Sequence, residues 1–245
     1  MGVYGRSFGP SAGTDDYSMY LTRTDASGNH LWSKAIGGSD NDYLFDMKVG
    51  SDGFYLAGYT YSYGPSAGSA YSGMFVKTDT TGSLIAARAI GGADYDYFRN
   101  IDFESDGDIA LFGYTRTYGP GATLDDYSMM VISITSSFSF VQAEAIGCNT
   151  GYNTYQYGGV VSPGDGYVMG GYTQCFGVPT TSSMIVGLDS DMISCVSSSS
   201  FTPTIQSITP TVQTFTPTVQ DISAIVSYPS VSVVSSSISA NNECP

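Results

Sequence analysis

The chain repeats itself. AIGG at residues 35–38 returns as AIGG at 89–92 and as AIGC at 145–148, and GYTYSYGP at 58–65 returns as GYTRTYGP at 113–120 and as GYTQCFGV at 171–178. VYGRSFGP at 3–10 is an earlier copy. The period is roughly 55 residues, the size of a supersecondary unit that cannot bury its apolar face alone and must stack on its neighbours.

Within the first full period, four short runs alternate apolar and polar residues: YSMYLTR (17–23), HLWSKAI (30–36), YLFDMKV (43–49) and FYLAGYT (54–60). The connections between them hold Gly, Asn and Asp, residues that tolerate positive φ or form Asx turns. The next unit repeats this with GMFVKTD, SLIAARA, YFRNIDF and IALFGYT. Tyr at 20 and Gly at 30 copies, with few of the residues that fill helix surfaces, fit strands joined by tight turns. The expected fold is all-β: a propeller-like array of four-stranded antiparallel blades, with almost no helix.

GGSDNDYLFDMKVGSDGFYLAGYT and GGADYDYFRNIDFESDGDIALFGYT resemble the repeat of the secreted and cell-surface β-propeller-repeat proteins: Gly-Gly, an acidic segment, Asp, an alternating strand, Asp-Gly, then Gly-Tyr-Thr. The resemblance covers about residues 1 to 190. It implies a propeller and an extracellular setting, and it implies no reaction. The third unit departs from it, with Cys148 in place of the second Gly and Ser133-Ile-Thr-Ser-Ser where Lys-Thr-Asp stands in the second.

A propeller must hide its edges. The sequence therefore predicts about four blades, the last shared between the termini, with residues 2–8 in the same sheet as 183–189; an array completed by a neighbouring molecule is the alternative. The propeller-like domain is expected over residues 1–201, followed by an extended Thr/Pro/Ser-rich arm or stalk over 202–245. TPTIQSI, TPTVQTF and TPTVQDI run through 202–222 with a strict period of seven, and Pro203, Pro210 and Pro217 exclude a continuous helix. Thr202, Thr204, Thr209, Thr211, Thr216 and Thr218 are candidate O-glycosylation sites of a stalk. Alternating Ile205, Val212, Phe215, Val219, Ile222, Val226, Val231 and Val233 instead suit an assembly arm that adds to a neighbour's sheet.

Charge narrows the partners. Eight Lys and Arg against 22 Asp and Glu give a net charge of −14, which disfavours nucleic acid and anionic membranes. No run is long and apolar enough for a membrane span, and residues 1–10 lack the pattern of a signal peptide, so a mature or partial product is expected. Cys148, Cys175, Cys195 and Cys244 lack zinc-ligand spacing and read as disulfides of an oxidising compartment. Loop length favours Cys175 with Cys195, leaving Cys148 with Cys244.

No cofactor is required by this sequence. Asp40 with Asp42, and Asp94 with Asp96, recur at equivalent positions as candidate calcium ligands, although Asp-x-Asp supplies only part of calcium's six to eight oxygens and also suits turn hydrogen bonds. Catalytic signals are poor: the single His30 opens a strand, and no GxSxG elbow accompanies it. The expected function is a non-enzymatic structural subunit of an extracellular filament, sheath or surface layer, forming a homo-oligomer or polymer through the arm. The alternative is a carbohydrate-binding or adhesive module using the tyrosine-rich loops to stack on glycans.

Overall fold

The computed structural model describes residues 1–10, 13, 15–120, 122, 126–148, 151–176, 181–194 and 196–217. Among these lie 17 strands: β1 (Gly2–Gly5), β2 (Ser18–Thr24), β3 (His30–Gly37), β4 (Asp42–Gly50), β5 (Gly53–Thr60), β6 (Ser72–Thr78), β7 (Leu84–Gly91), β8 (Asp96–Phe103), β9 (Ile109–Thr115), β10 (Ser128–Ile134), β11 (Phe140–Ile146), β12 (Thr154–Val161), β13 (Tyr167–Thr173), β14 (Ser182–Leu188), β15 (Ser198–Ser200), β16 (Thr204–Ser207) and β17 (Thr211–Phe215). No α-helix occurs among the described residues.

The strands form four antiparallel sheets. Sheet I has the order β1-β2-β3-β17, sheet II β16-β7-β6-β5-β4, sheet III β15-β11-β10-β9-β8, and sheet IV β12-β13-β14. The individual strands match the sequence pattern, but sheet boundaries fall at the Gly-Gly turns. The expected unit 17–60 is therefore divided between sheets I and II.

Burial follows the period-two pattern of strands. In β9, Ile109 and Leu111 pack toward sheet II while Ala110 and Phe112 pack toward sheet IV. Strands β6, β9 and β10 are buried along their whole length because their sheets are covered on both faces. A third core, with Met19, Leu21 and Ile36 against Leu56, Met74 and Val76, joins sheets I and II. Leading strands meet in series, β1 with β4, β4 with β8 and β8 with β12, and no closed ring is formed among the described residues.

The expected sharing of one blade by residues 2–8 and 183–189 is not found. Strand β1 pairs with β2, whereas β14 pairs with β13 in sheet IV. The physical reason is the repeat: β1 is the counterpart of β5, which pairs with β6, so it joins the hairpin of its own unit.

Gly58, Gly113 and Gly171 occupy equivalent places, opposite Leu44, Phe98 and Gln156 and beside a bulge in β4, β8 and β12. A Cβ at any of them would overlap the carbonyl oxygen of Tyr43, Tyr97 or Tyr155. The Gly of each Gly-Tyr-Thr is thus fixed by close backbone approach.

Candidate functional site

Each passage from one sheet to the next is closed by a clasp. Between sheets I and II, the Gly38 amide donates to Asp42 Oδ2 at 2.7 Å and the Ser62 hydroxyl donates to the same oxygen at 3.0 Å. Between sheets II and III, the Gly92 amide and the Thr117 hydroxyl donate to Asp96 Oδ2 at 2.8 and 3.0 Å, and Thr115 donates to Oδ1. Both carboxyls are fully buried. Burial pushes Asp42 up to about 6 and Asp96 up to about 7, against the lowering effect of their hydrogen bonds.

At the third passage, Cys148 stands in the place of Gly92, Cys175 in that of Thr117 and Thr154 in that of Asp96. There Cys148 and Cys175 form a disulfide, with Cα atoms 6.1 Å apart, and Thr154 bonds Thr173 at 3.0 Å. This replaces the expected pairs Cys175–Cys195 and Cys148–Cys244; Cys195 and Cys244 lie outside the described residues. Loop length misled because the contact runs across a sheet junction. The signal that finds it is repeat alignment: a Cβ on Gly38 would meet the Ser62 side chain, so the two positions already touch.

The candidate calcium ligands are drawn into this architecture. Asp42 and Asp96 serve the clasps, while Asp40 accepts the Asn41 amide at 2.7 Å and Asp94 pairs with Arg116 at 3.4 Å. Among the described residues, no group of three or more His, Cys, Asp or Glu comes together to hold a metal ion. Other carboxylates cap turns: Asp25 Oδ1 accepts the amides of Ser27 and Asn29, Asp79 those of Thr81 and Ser83, and Asp189 those of Asp191 and Ile193. His30 is half-buried, with Nε2 2.9 Å from Ser33 Oγ. A cavity of about 320 Å³ lies along β11 between Glu144, Asp191 and Phe201.

Of the segment expected over 202–245 as an arm or a stalk, the part up to residue 215, together with residues 198–201, straps the protein's own sheets. Strand β15 adds to β11, β16 to β7 and β17 to β3, each antiparallel. Their register repeats every seven residues. Gly147 donates to the Ser197 carbonyl at 3.2 Å, Thr204 stands opposite Gly91 and Thr211 opposite Gly37. At the other end, the Phe201 amide reaches the Ala143 carbonyl and the Ile208 amide that of Ala87. Pro203 and Pro210 are buried between the strap strands, where no ladder donor is needed.

Ile205 and Val212 pack on their own inter-sheet cores, and Phe215 stacks on Phe8 with ring centroids 4.5 Å apart. Val219, Ile222, Val226, Val231 and Val233 lie outside the described residues. Thr202, Thr204, Thr209, Thr211 and Thr216 are exposed, and Thr218 lies outside the described residues.

Sequence reading also missed an aromatic rail. Tyr4, Tyr43, Tyr59, Tyr97, Tyr114, Tyr155 and Tyr172 meet in succession across all four sheets, at centroid distances of 5.0, 4.9, 4.7, 4.8, 5.1 and 5.0 Å. Arg99 lies 4.1 Å from the Phe45 ring centroid and donates to Tyr114 Oη at 2.7 Å. The recurring Tyr of Gly-Tyr-Thr was the available signal. No protein-family model and no curated protein matches the chain, and no helix among the described residues is long and apolar enough to cross a membrane.

Proposed function

We propose that the chain is a non-enzymatic structural subunit of an extracellular assembly, built on an open propeller-like array related to the β-propeller-repeat proteins. The observation that carries this reading is the strap: the tail reinforces three sheet edges, and its sequence holds a further heptad at 216–222. Carboxylates supply clasps and turn caps, and the lone histidine supports a strand, so the polar chemistry is committed to architecture. The Cys148–Cys175 bond supports an oxidising setting. Exposed strap threonines remain open to glycosylation. Sedimentation velocity and electron microscopy of the purified chain test the assembly: concentration-dependent polymers support it, and a strict monomer at every concentration overturns it.

The rail favours a second reading, glycan binding. Half-buried Tyr43, Tyr97 and Tyr155 repeat from sheet to sheet at roughly 10 Å, the spacing of packed sheets, and present rings on which sugars stack. Sugar titration of monomeric protein decides it: saturable binding lost in Tyr59→Ala supports this reading, and no saturation by any glycan excludes it.

A further inference from the structure

The strap is a counting device, and its count exceeds the sheets it covers. Residues 196–201, 202–208 and 209–215 each cover one outer edge, in the order sheet III, sheet II, sheet I. Residues 216–222, TPTVQDI, repeat the first five residues of the preceding heptad without change. Pro203 and Pro210 are buried against the sheets they join, whereas Pro217 is only half-buried.

Among the described residues, no further sheet lies beyond sheet I. Its outer face is more polar than the corresponding face of sheet II, with Tyr20, Thr22 and Ser33 in place of Met74, Val76 and Ala87 and the Phe8 and Phe215 rings covering Tyr20. Tyr20 Oη accepts the Phe8 amide at 2.7 Å, and the Thr22 and Ser33 hydroxyls meet at 2.9 Å. Such a face ends an array. The opposite end is unfinished: among the described residues, sheet IV alone lacks a strap, and β14 pairs only with β13. On its outer face Ile185 is 82% exposed and Val160 50%, while Val131, the counterpart of Ile185 in sheet III, is fully buried.

We propose that residues 216–222 of one copy add as a strand to the open edge of β14 in a second copy. This rests on the assembly reading above and names its donor and acceptor. Main-chain hydrogen bonds would hold the strand in the place that β7 takes beside β6, the counterpart of β14, in sheet II. Pro217 and Asp221 at the ends of the segment discourage arms from pairing with each other. Donor and acceptor are different surfaces, so the contact is heterologous and propagates as a ring or an open filament.

The test compares the full chain, Val219→Pro, and a chain ending at Phe215, which retains β17. Sedimentation velocity is expected to show concentration-dependent species for the full chain and monomer for both variants. Added peptide of residues 216–222 should slow amide exchange across β14 of the shortened chain. If all three proteins associate equally, the strand donation is wrong and assembly uses another surface. If the full chain stays monomeric, both readings fail; β14 protected in that monomer and exposed after truncation would mean the segment closes on its own sheet IV.

Discussion

Cys148 is bonded to Cys175 across the junction of sheets III and IV, at the places where Gly92 and Thr117 share the buried Asp96 one junction earlier. Two chemistries thus close the same gap. Digestion without reduction should yield a peptide pair joining Cys148 to Cys175. Replacing both by Ser should cost on the order of 3 kcal/mol, the chain-entropy value for a loop of this size. Equal melting temperatures with and without reductant would contradict the assignment.

The carboxylate clasps predict an inverted pH response. Asp96 and Asp42 have folded-state values raised to about 7 and about 6 by burial, above the ordinary carboxyl range. The folded protein therefore binds more protons than the unfolded chain between about pH 4 and 7, and their contribution to stability falls as pH rises through that window. Asp96→Asn should flatten the dependence relative to the parent, by at most roughly 4 kcal/mol across the window. Denaturation at a series of pH values measures it, and parallel curves for parent and variant would count against a buried protonated Asp96.

Gly113 faces the carbonyl of Tyr97 without room for a Cβ. Gly113→Ala should destabilise by more than about 2 kcal/mol through backbone displacement at the bulge. Gly107→Ala, at a turn with φ of 92° and open space around it, should cost about 1 kcal/mol through backbone conformation alone. Urea midpoints distinguish the two, and a smaller loss at Gly113 than at Gly107 contradicts the close approach.

Much of this was legible in the sequence, and the reasons are local. Strand β4 followed from alternation, and β9 and the equivalence of Gly58, Gly113 and Gly171 followed from the repeat. The grouping into sheets was not legible, because YSMYLTR and FYLAGYT have the same alternation whether they share a sheet or face each other across a core. The clasp at Cys148 was hidden because loop length carries no information about which turn touches which. For the tail, Pro every seven residues read equally as a stalk. Only the outer edges of β3, β7 and β11, in three dimensions, show why seven residues is the step.

Phe215 closes the last observed step of the strap against Phe8 and Tyr20, at 4.5 and 4.9 Å. Phe215→Ala removes both aromatic contacts and a half-buried ring, and should cost about 1 to 3 kcal/mol. Leu31→Ala, at a position 52% exposed on the neighbouring strand, should cost less than about 1 kcal/mol. Thermal melts of the two variants give the comparison, and equal losses would mean that the strap is not seated on sheet I.

Amide hydrogen exchange along residues 197–217 is the direct measurement of the strap itself, on which the assembly reading depends. Protection is expected in three blocks, Ser198–Ser200, Thr204–Ser207 and Thr211–Phe215, with a seven-residue rhythm broken near Pro203 and Pro210. Uniformly fast exchange over the whole segment, at the rate of an unstructured peptide, would contradict the account.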